Sequence, residues 1–180
     1  MKIRTSMVQF ARSRLGKGGN IERMNNILSE INHTDIVCLP ENWVGVEVLD
    51  EDECNALIST LGEIASKQKF NLLTGGAYVR RGEGIFDSCY VIDRRGNILG
   101  FCDKLFPSEP VGERKFLSAG KTVRSFELDG LNIGVVICVD AVYPEISRSL
   151  ASNGAKIVFN PSNIPENRLE MWKHIGVARA

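Results

Sequence analysis

Two rhythms of apolar and polar positions run along the chain, one of period two and one near 3.6. Ile3–Phe10 reads as a first strand. Gly16–Gly19 reads as a flexible loop with Asn20 as the N-cap of a helix, in which Ile21, Met24, Ile27, Leu28 and Ile31 share one face. Ile36–Leu39 is a short, fully apolar strand stopped by Pro40. Leu57, Leu61, Ile64 and Ala65 mark a second amphipathic helix, and Leu72–Val79 reads as another strand. The middle of the chain has a different texture. Phe86–Asp93 and Ile98–Phe101 are strands joined by Arg94-Arg95-Gly96-Asn97, a hairpin signal. Phe126–Leu128 and Leu131–Val136 are joined by Asp129-Gly130, a pair suited to a tight hairpin turn. Pro144 suits the first turn of a helix running to about Asn153, with Gly154 as its C-cap. Ile157–Phe159 is a strand ending in Asn160-Pro161, and Leu169, Trp172 and Ile175 suggest a last helix.

Helices must cover sheet faces, and hairpins imply antiparallel pairs, so the pattern predicts layered α/β architecture with mixed sheets. At 180 residues the chain suits one domain, 1–180. No internal repeat or low-complexity tract interrupts it. Lys plus Arg and Asp plus Glu both number 22. That balance leaves no footprint for nucleic acid or for an anionic membrane, and it favours a small-molecule substrate. The N-terminal residues do not read as a signal peptide, and no apolar stretch approaches a membrane span. The cysteines are five, an odd number, and no two are spaced Cys-x-x-Cys. A reducing cytoplasm therefore fits better than a disulfide framework.

Three segments hold candidate chemistry, each at the end of a predicted strand, where side chains from neighbouring strands converge. In the first, Pro40 ends an apolar strand and Glu41 follows at once. In the second, Lys104 lies between apolar residues after Ile98–Phe101; charged residues are rarely buried without a partner. In the third, the strand Gly134–Ile137 runs straight into Cys138, with a helix a few residues later. A nucleophile on a tight strand-to-helix turn has this layout, and a nearby helix N-terminus favours a thiolate. Cys38, Cys54, Cys89 and Cys102 read instead as small buried hydrophobes. Two histidines, His33 and His174, lie too far apart for ligand spacing, so no metal site is expected. No Gly-x-Ser-x-Gly elbow is present, and Gly120-Lys121-Thr122 lacks the upstream glycine of a phosphate loop.

The run GVVICVDAVYPE, followed by KIVFNPSN, closely resembles the nucleophile segment of the nitrilase, or carbon–nitrogen hydrolase, superfamily. LPENW resembles its glutamate motif, DKLFP its lysine motif and ERKFLSAG the element that carries its second glutamate. Any one motif is moderately specific; four in the same order are strongly so. The resemblance implies a four-layer α-β-β-α sandwich that is incomplete at its C-terminal end. It implies Glu41 as general base, Lys104 and Cys138 as its catalytic partners, and Glu113 as the residue that orients Lys104 or the substrate. It further implies a homodimer or higher homo-oligomer, and no cofactor.

The chemistry implied is cleavage of a non-peptide C–N bond in a small amide or carbamoyl amide. A carboxylate takes the thiol proton, the thiolate attacks, and an ammonium and a backbone N–H such as that of Val139 meet the developing negative charge. Asp140 two residues after the cysteine leans toward amides, because nitrile-cleaving members tend to carry Cys-Trp-Glu. Trp43, Tyr143 and Asn163 are candidate substrate contacts. The main alternative is a non-catalytic or partner-completed fragment of a nitrilase-fold protein, and a nitrile-cleaving nitrilase is the weaker one.

Overall fold

The mixture of helices and hairpins resolves into two sheets with helices on their outer faces. The computed structural model describes residues 2–14 and 16–180. In chain order the elements are β1 (Thr5–Met7), α1 (Gly16–Glu30), β2 (Ile36–Cys38), α2 (Glu51–Gln68), β3 (Asn71–Leu73), β4 (Ala77–Arg81), β5 (Gly84–Ile92) and β6 (Ile98–Asp103). Then follow β7 (Ser125–Leu128), β8 (Leu131–Val135), α3 (Pro144–Ser152), β9 (Ile157–Phe159) and α4 (Leu169–Arg179). Strands β1, β2 and β3 pair in parallel, and β5 pairs antiparallel with β3, β4 and β6. In the second sheet β8 pairs antiparallel with β7 and in parallel with β9.

Alternation along the strands decides which layer each side chain joins. Val37, Leu39 and Leu72 pack with Met24, Leu28, Leu61 and Phe70, which places α1 and α2 on the outer face of the first sheet. Ile36, Cys38, Leu73 and Val91 pack instead with Phe126, Ile133, Val135 and Phe159, so a second core lies between the two sheets. Val136, Ile146 and Leu150 form a third core, which seats α3 on the outer face of the second sheet. Gly134 lets α3 approach: a Cβ there would lie 2.8 Å from a Leu150 methyl carbon. The order is α-β-β-α. β2 and β3 are apolar at most positions because cores lie on both of their faces.

Several expectations hold at the level of the element and shift at its edges. The turn Asp129-Gly130 has φ of 53° and 78°, the left-handed pair that a two-residue hairpin requires. β1 spans three residues, fewer than Ile3–Phe10, because it has a single pairing partner, β2. Helix α1 begins at Gly16, so Gly16–Gly19 is helical and Asn20 is not an N-cap. Asn20 is buried inside the helix; its side chain accepts from the Ser13 N–H and donates to the Val44 carbonyl. Past α3, Asn153 caps the helix, and Gly154, one residue on, takes the left-handed conformation at φ 90°.

The predicted strand Leu72–Val79 is two strands, β3 and β4, broken at Thr74–Gly76. The break is set by Gly75, at φ 70°, where a Cβ would lie 2.0 Å from the Pro40 carbonyl oxygen. The chain must pass this close because Pro40 leads directly to Glu41. At Gly76, a Cβ would meet the Asp87 carboxylate at 2.4 Å. Gly75 makes room for the Leu39–Pro40 backbone, and Gly76 for the Asp87 and Glu41 side chains described below. Gly75→Ala is therefore expected to cost about 2 kcal/mol or more and to lower the thermal midpoint by roughly 4–8 °C, as read by calorimetry. A shift below about one degree would show that β2 and β3 do not depend on this contact.

Candidate active site

Three loops at the ends of β2, β6 and β8 deliver Glu41, Lys104 and Cys138 to one place. Glu41 follows Pro40 at the end of β2. The Leu39 N–H donates to Leu73 and the Asn42 N–H to Gly76, so the loop continues the pairing beyond the strand. Asn42 has φ 55°, a conformation asparagine tolerates better than most residues. The Glu41 carboxylate is 4% exposed. One oxygen lies 2.7 Å from the Lys104 Nζ, and the other accepts the Asn163 backbone N–H at 2.8 Å.

Lys104 is 1% exposed and leaves β6 held by its own backbone, whose N–H donates to Asp87 and whose carbonyl accepts from Gly120. Its ammonium reaches three carboxylates: Glu41 at 2.7 Å, Glu113 at 2.7 Å and Asp87 at 3.4 Å. Glu113 begins the 3-10 turn Glu113–Lys115 and also accepts from the Ser108 N–H and the Tyr78 hydroxyl. The three carboxylates are close enough together to hold a metal ion, and the Lys104 ammonium hydrogen-bonds all three. Burial disfavours a charged lysine, yet the neighbouring Glu41 and Asp87 charges and the hydrogen bonds to Glu113 and Glu41 outweigh it and raise its pKa. Asp87 moves in the opposite sense. Burial, then the Glu41 charge, pushes its carboxyl well above the usual range, against the pull of Lys104.

Cys138 opens the 3-10 turn Cys138–Val142 with φ 47°, a left-handed conformation that is strained for a residue with a side chain. Its N–H donates to the Pro161 carbonyl at 2.9 Å, and the Asn160 amide donates to the carbonyls of Val136 and Cys138. Asn160-Pro161 at the end of β9 thus grips the strained residue from both sides. Asp140 ties this turn to the lysine segment: its carboxylate accepts the N–H groups of Leu105 and Phe106, both at 2.9 Å. Burial lifts that carboxyl to about 6 against these two hydrogen bonds. The Cys138 thiol lies within the electrostatic reach of the Glu41 carboxylate, the Lys104 ammonium and the Asn163 N–H. Burial, then the Glu41 charge, pushes the thiol well above its ordinary value; the Lys104 ammonium opposes this and does not prevail. The resting group is a thiol, which corrects the expectation that the following helix favours a thiolate.

Cys138 opens into a cavity of about 220 Å³ lined also by Glu41, Lys104, Glu113, Val139 and Asn163. Trp43 and Tyr143 do not line it. Trp43 is buried in the core under α1, with its indole N–H on the Thr74 carbonyl and its ring edge-on to Phe10. Tyr143 stacks on Phe106, ring centroids 3.9 Å apart, beside the lysine segment. Both are corrections to their expected role as substrate contacts: large aromatic side chains were placed where they bury most area. Tyr78, Asp87 and Asn160 were missed, and Asp140 was read only as a pointer to amides, not for its hold on the lysine segment. A carboxylate inside the apolar strand β5 was the available signal for Asp87. Cys38, Cys54, Cys89 and Cys102 are buried free thiols, as expected, and burial lifts Cys38 and Cys102 to about 12.

The sequence profile of the carbon-nitrogen hydrolase family matches residues 4–180. The chain belongs to the carbon-nitrogen hydrolase family. Among its relatives, a 2-oxoglutaramate amidase of Bacillus subtilis (strain 168) is 29% identical over 187 residues, covering 100% of this chain and 72% of that protein. The protein named hydrolase in agr operon of Staphylococcus aureus is 33% identical over 154 residues, covering 81% of this chain and 59% of that protein. A carbon-nitrogen hydrolase from Helicobacter pylori G27 superposes with a TM-score of 0.87 at 20% identity, over 98% of this chain and 68% of the other. An amidase from Nesterenkonia sp. gives 0.87 at 19% identity, over 98% and 71%. These structures share the carbon-nitrogen hydrolase fold with this chain. 

Within this member of the family the buried ammonium is the counter-charge of its site, which sets the cost of removing it. Lys104→Met is expected to destabilise the chain by about 3–5 kcal/mol in urea unfolding, as for other buried ion pairs stripped of one partner. The loss should be greater at about pH 8 than at about pH 5, because acid neutralises carboxylates left without their cation. A loss that does not change with pH would contradict that origin.

Proposed function

We propose that this chain is a cysteine-dependent hydrolase that cleaves the C–N bond of a small amide or carbamoyl amide through a thioester on Cys138. The observation that carries the reading is the convergence of the strained Cys138, Glu41 and Lys104 on one cavity, with Lys104 bound to the Glu41 carboxylate. Because the thiol is held protonated at rest, a base must take its proton as sulfur attacks, and Glu41 is the carboxylate on the same cavity whose charge acts most on it. Negative charge then develops on the substrate oxygen. The Lys104 ammonium and the Val139 N–H stabilise it in the cavity. Glu41 returns the proton to the departing nitrogen, ammonia or an amine leaves, and the acyl group remains on sulfur. Water enters, Glu41 takes its proton, hydroxide attacks the thioester carbon, and the acid is released with the thiol regenerated.

Glu113 has the role of a positioning group in this scheme, because both of its oxygens are committed to Lys104, Tyr78 and Ser108. The names of two relatives, 2-oxoglutaramate amidase in Bacillus subtilis and in Paenarthrobacter nicotinovorans, support an amide as the substrate class. A reducing cytoplasm and a homodimer or higher homo-oligomer belong to the same proposal. The first is supported by five buried free cysteines and the second by the exposed apolar side chains Leu169, Met171 and Val177 on α4.

Ammonia release from a panel of simple amides, carbamoyl amines and nitriles tests the reading. Cys138→Ala, Glu41→Gln and Lys104→Met are each expected to lower kcat/KM by about 10³-fold or more, while Cys102→Ala stays within a few-fold of the unsubstituted chain. Turnover that survives Cys138→Ala would refute the thioester route.

A further inference from the structure

Asp140 lies two residues beyond Cys138 and is buried. Its two oxygens are committed one each to consecutive backbone N–H groups: Oδ2 accepts from Leu105 and Oδ1 from Phe106, both at 2.9 Å. Successive amides that converge on one anion form a cradle with a fixed geometry. Here the anion comes from the turn after β8 and the cradle from the loop after β6, so the contact joins the segment of the nucleophile to the segment of the lysine.

The site is assembled from two halves. Lys104 belongs to the first sheet: its N–H donates to Asp87 of β5, and its ammonium meets Glu41 and Asp87. Cys138 and Val139 belong to the second. Their turn is held by Pro161 and Asn160 beyond β9, and from outside by Arg179 of α4, whose guanidinium donates to the Ala141 and Val142 carbonyls, both at 2.9 Å. Each half is thus anchored in its own sheet, and neither set of bonds sets one half against the other. Across the gap run the Asn163 N–H on Glu41, the stacking of Tyr143 on Phe106, and the two Asp140 bonds. Stacked rings slide at little cost, whereas hydrogen bonds are directional. The Asp140 bonds also run from the residue next to Val139 to the residue next to Lys104.

We propose that Asp140 is a positioning residue whose ionised carboxylate fixes the Lys104 ammonium and the Val139 N–H relative to each other, so that both meet the charge developing on the substrate oxygen. This rests on the amidase reading above and deepens it. An ionised carboxylate accepts at both oxygens; protonation turns one of them into a donor and leaves one N–H without its acceptor. Burial, opposed by the Leu105 and Phe106 bonds and by the Lys104 charge, lifts this carboxyl to about 6. The Cys102 thiol on β6, which also feels the Asp140 charge, stays neutral because burial lifts it to about 12. The tie is therefore complete above about pH 6 and is lost as the pH falls through that value. A carboxyl raised in the folded state favours folding on the acid side, so the tie loosens without Asp140 driving the chain to unfold.

Amide exchange and ammonia release, measured on the unsubstituted chain and on Asp140→Asn, test the inference. Asparagine keeps the size and offers one acceptor in place of two. Protection of the Leu105 and Phe106 amides, read by NMR at about pH 7.5 and corrected for the intrinsic rate, is expected to fall about tenfold or more in Asp140→Asn, with the Gly120 amide unchanged. In the unsubstituted chain the same protection should fall between about pH 7 and about pH 5, a measurement that needs no variant. For the amide of the panel above that is hydrolysed fastest, kcat is expected to drop by about 10²-fold in Asp140→Asn with KM within a few-fold, the mark of misplaced groups rather than lost binding. The acid limb near pH 6 should move to lower pH in that variant, and Asp140→Glu should restore part of kcat. Unchanged protection in Asp140→Asn, or protection that ignores pH in the unsubstituted chain, would overturn the tie. Lost protection with kcat unchanged, or a loss confined to KM, would overturn the positioning role. Lost protection in a chain that releases no ammonia from any compound would sink the amidase reading and keep the tie.

Discussion

An ammonium group almost wholly removed from water must have its charge met inside the protein, and Lys104 has it met by three carboxylates. Burial works against the cation, but the charges of Glu41 and Asp87 and the hydrogen bonds to Glu113 and Glu41 outweigh it, so Lys104 stays charged. Much of the surrounding architecture reads as a consequence. Asp87 comes from β5, Lys104 from the end of β6, Glu41 from the loop after β2 and Glu113 from a turn between the sheets. Four separate segments must hold register for one ion to be satisfied. Gly75 and Gly76 leave no side chain in the way, and Asn42 takes a left-handed conformation to turn the chain out of the cluster. The same ion fixes one Glu41 oxygen while the other accepts the Asn163 N–H, so the carboxylate that shares the cavity with the sulfur cannot rotate freely.

Cys138 is organised differently, by hydrogen bonds to backbone rather than by charge. Its positive φ is held by Pro161 and Asn160, and Asp140 ties its turn to the residues after Lys104. Strain of about 1–3 kcal/mol at one residue is affordable only where neighbours determine the backbone this fully. The consequence is a sulfur at the border of the core between the sheets that also opens to a cavity, whereas Cys38, Cys89 and Cys102 lie in that core and line no part of the cavity. On the proposed reading, a protonated thiol beside a fixed carboxylate suits a site that binds an uncharged amide group before any charge is created.

Period and turn chemistry carried most of the fold. Two-sided burial made Ile36–Leu39 legible as an inner strand, Asp129-Gly130 fixed one hairpin, and the four motifs placed Glu41, Lys104, Glu113 and Cys138 in order. What escaped had no local signature. Gly75 and Gly76 look like an ordinary interruption until Pro40 is known to press against them. Asn20 looks like a cap because the loop before α1 is glycine-rich; it is a buried bridge because Ser13 and Val44 fold over it. Trp43 and Tyr143 carry the composition of a binding site, and only packing shows that their rings fill other contacts. Asp140 and Asn160 act through backbone groups far along the chain, a relation that spacing does not encode.

The central claim is that Glu41, held by Lys104, is the base that makes one buried thiol reactive. The rate of alkylation by iodoacetamide at each of the five cysteines, followed by intact mass and peptide mapping in the unsubstituted chain and in Glu41→Gln, tests it most directly. The account predicts a single rapid adduct at Cys138 that slows by about tenfold or more in Glu41→Gln, with the other four cysteines unreactive in both. Labelling shared evenly among the cysteines, or an unchanged rate at Cys138 in Glu41→Gln, would contradict it.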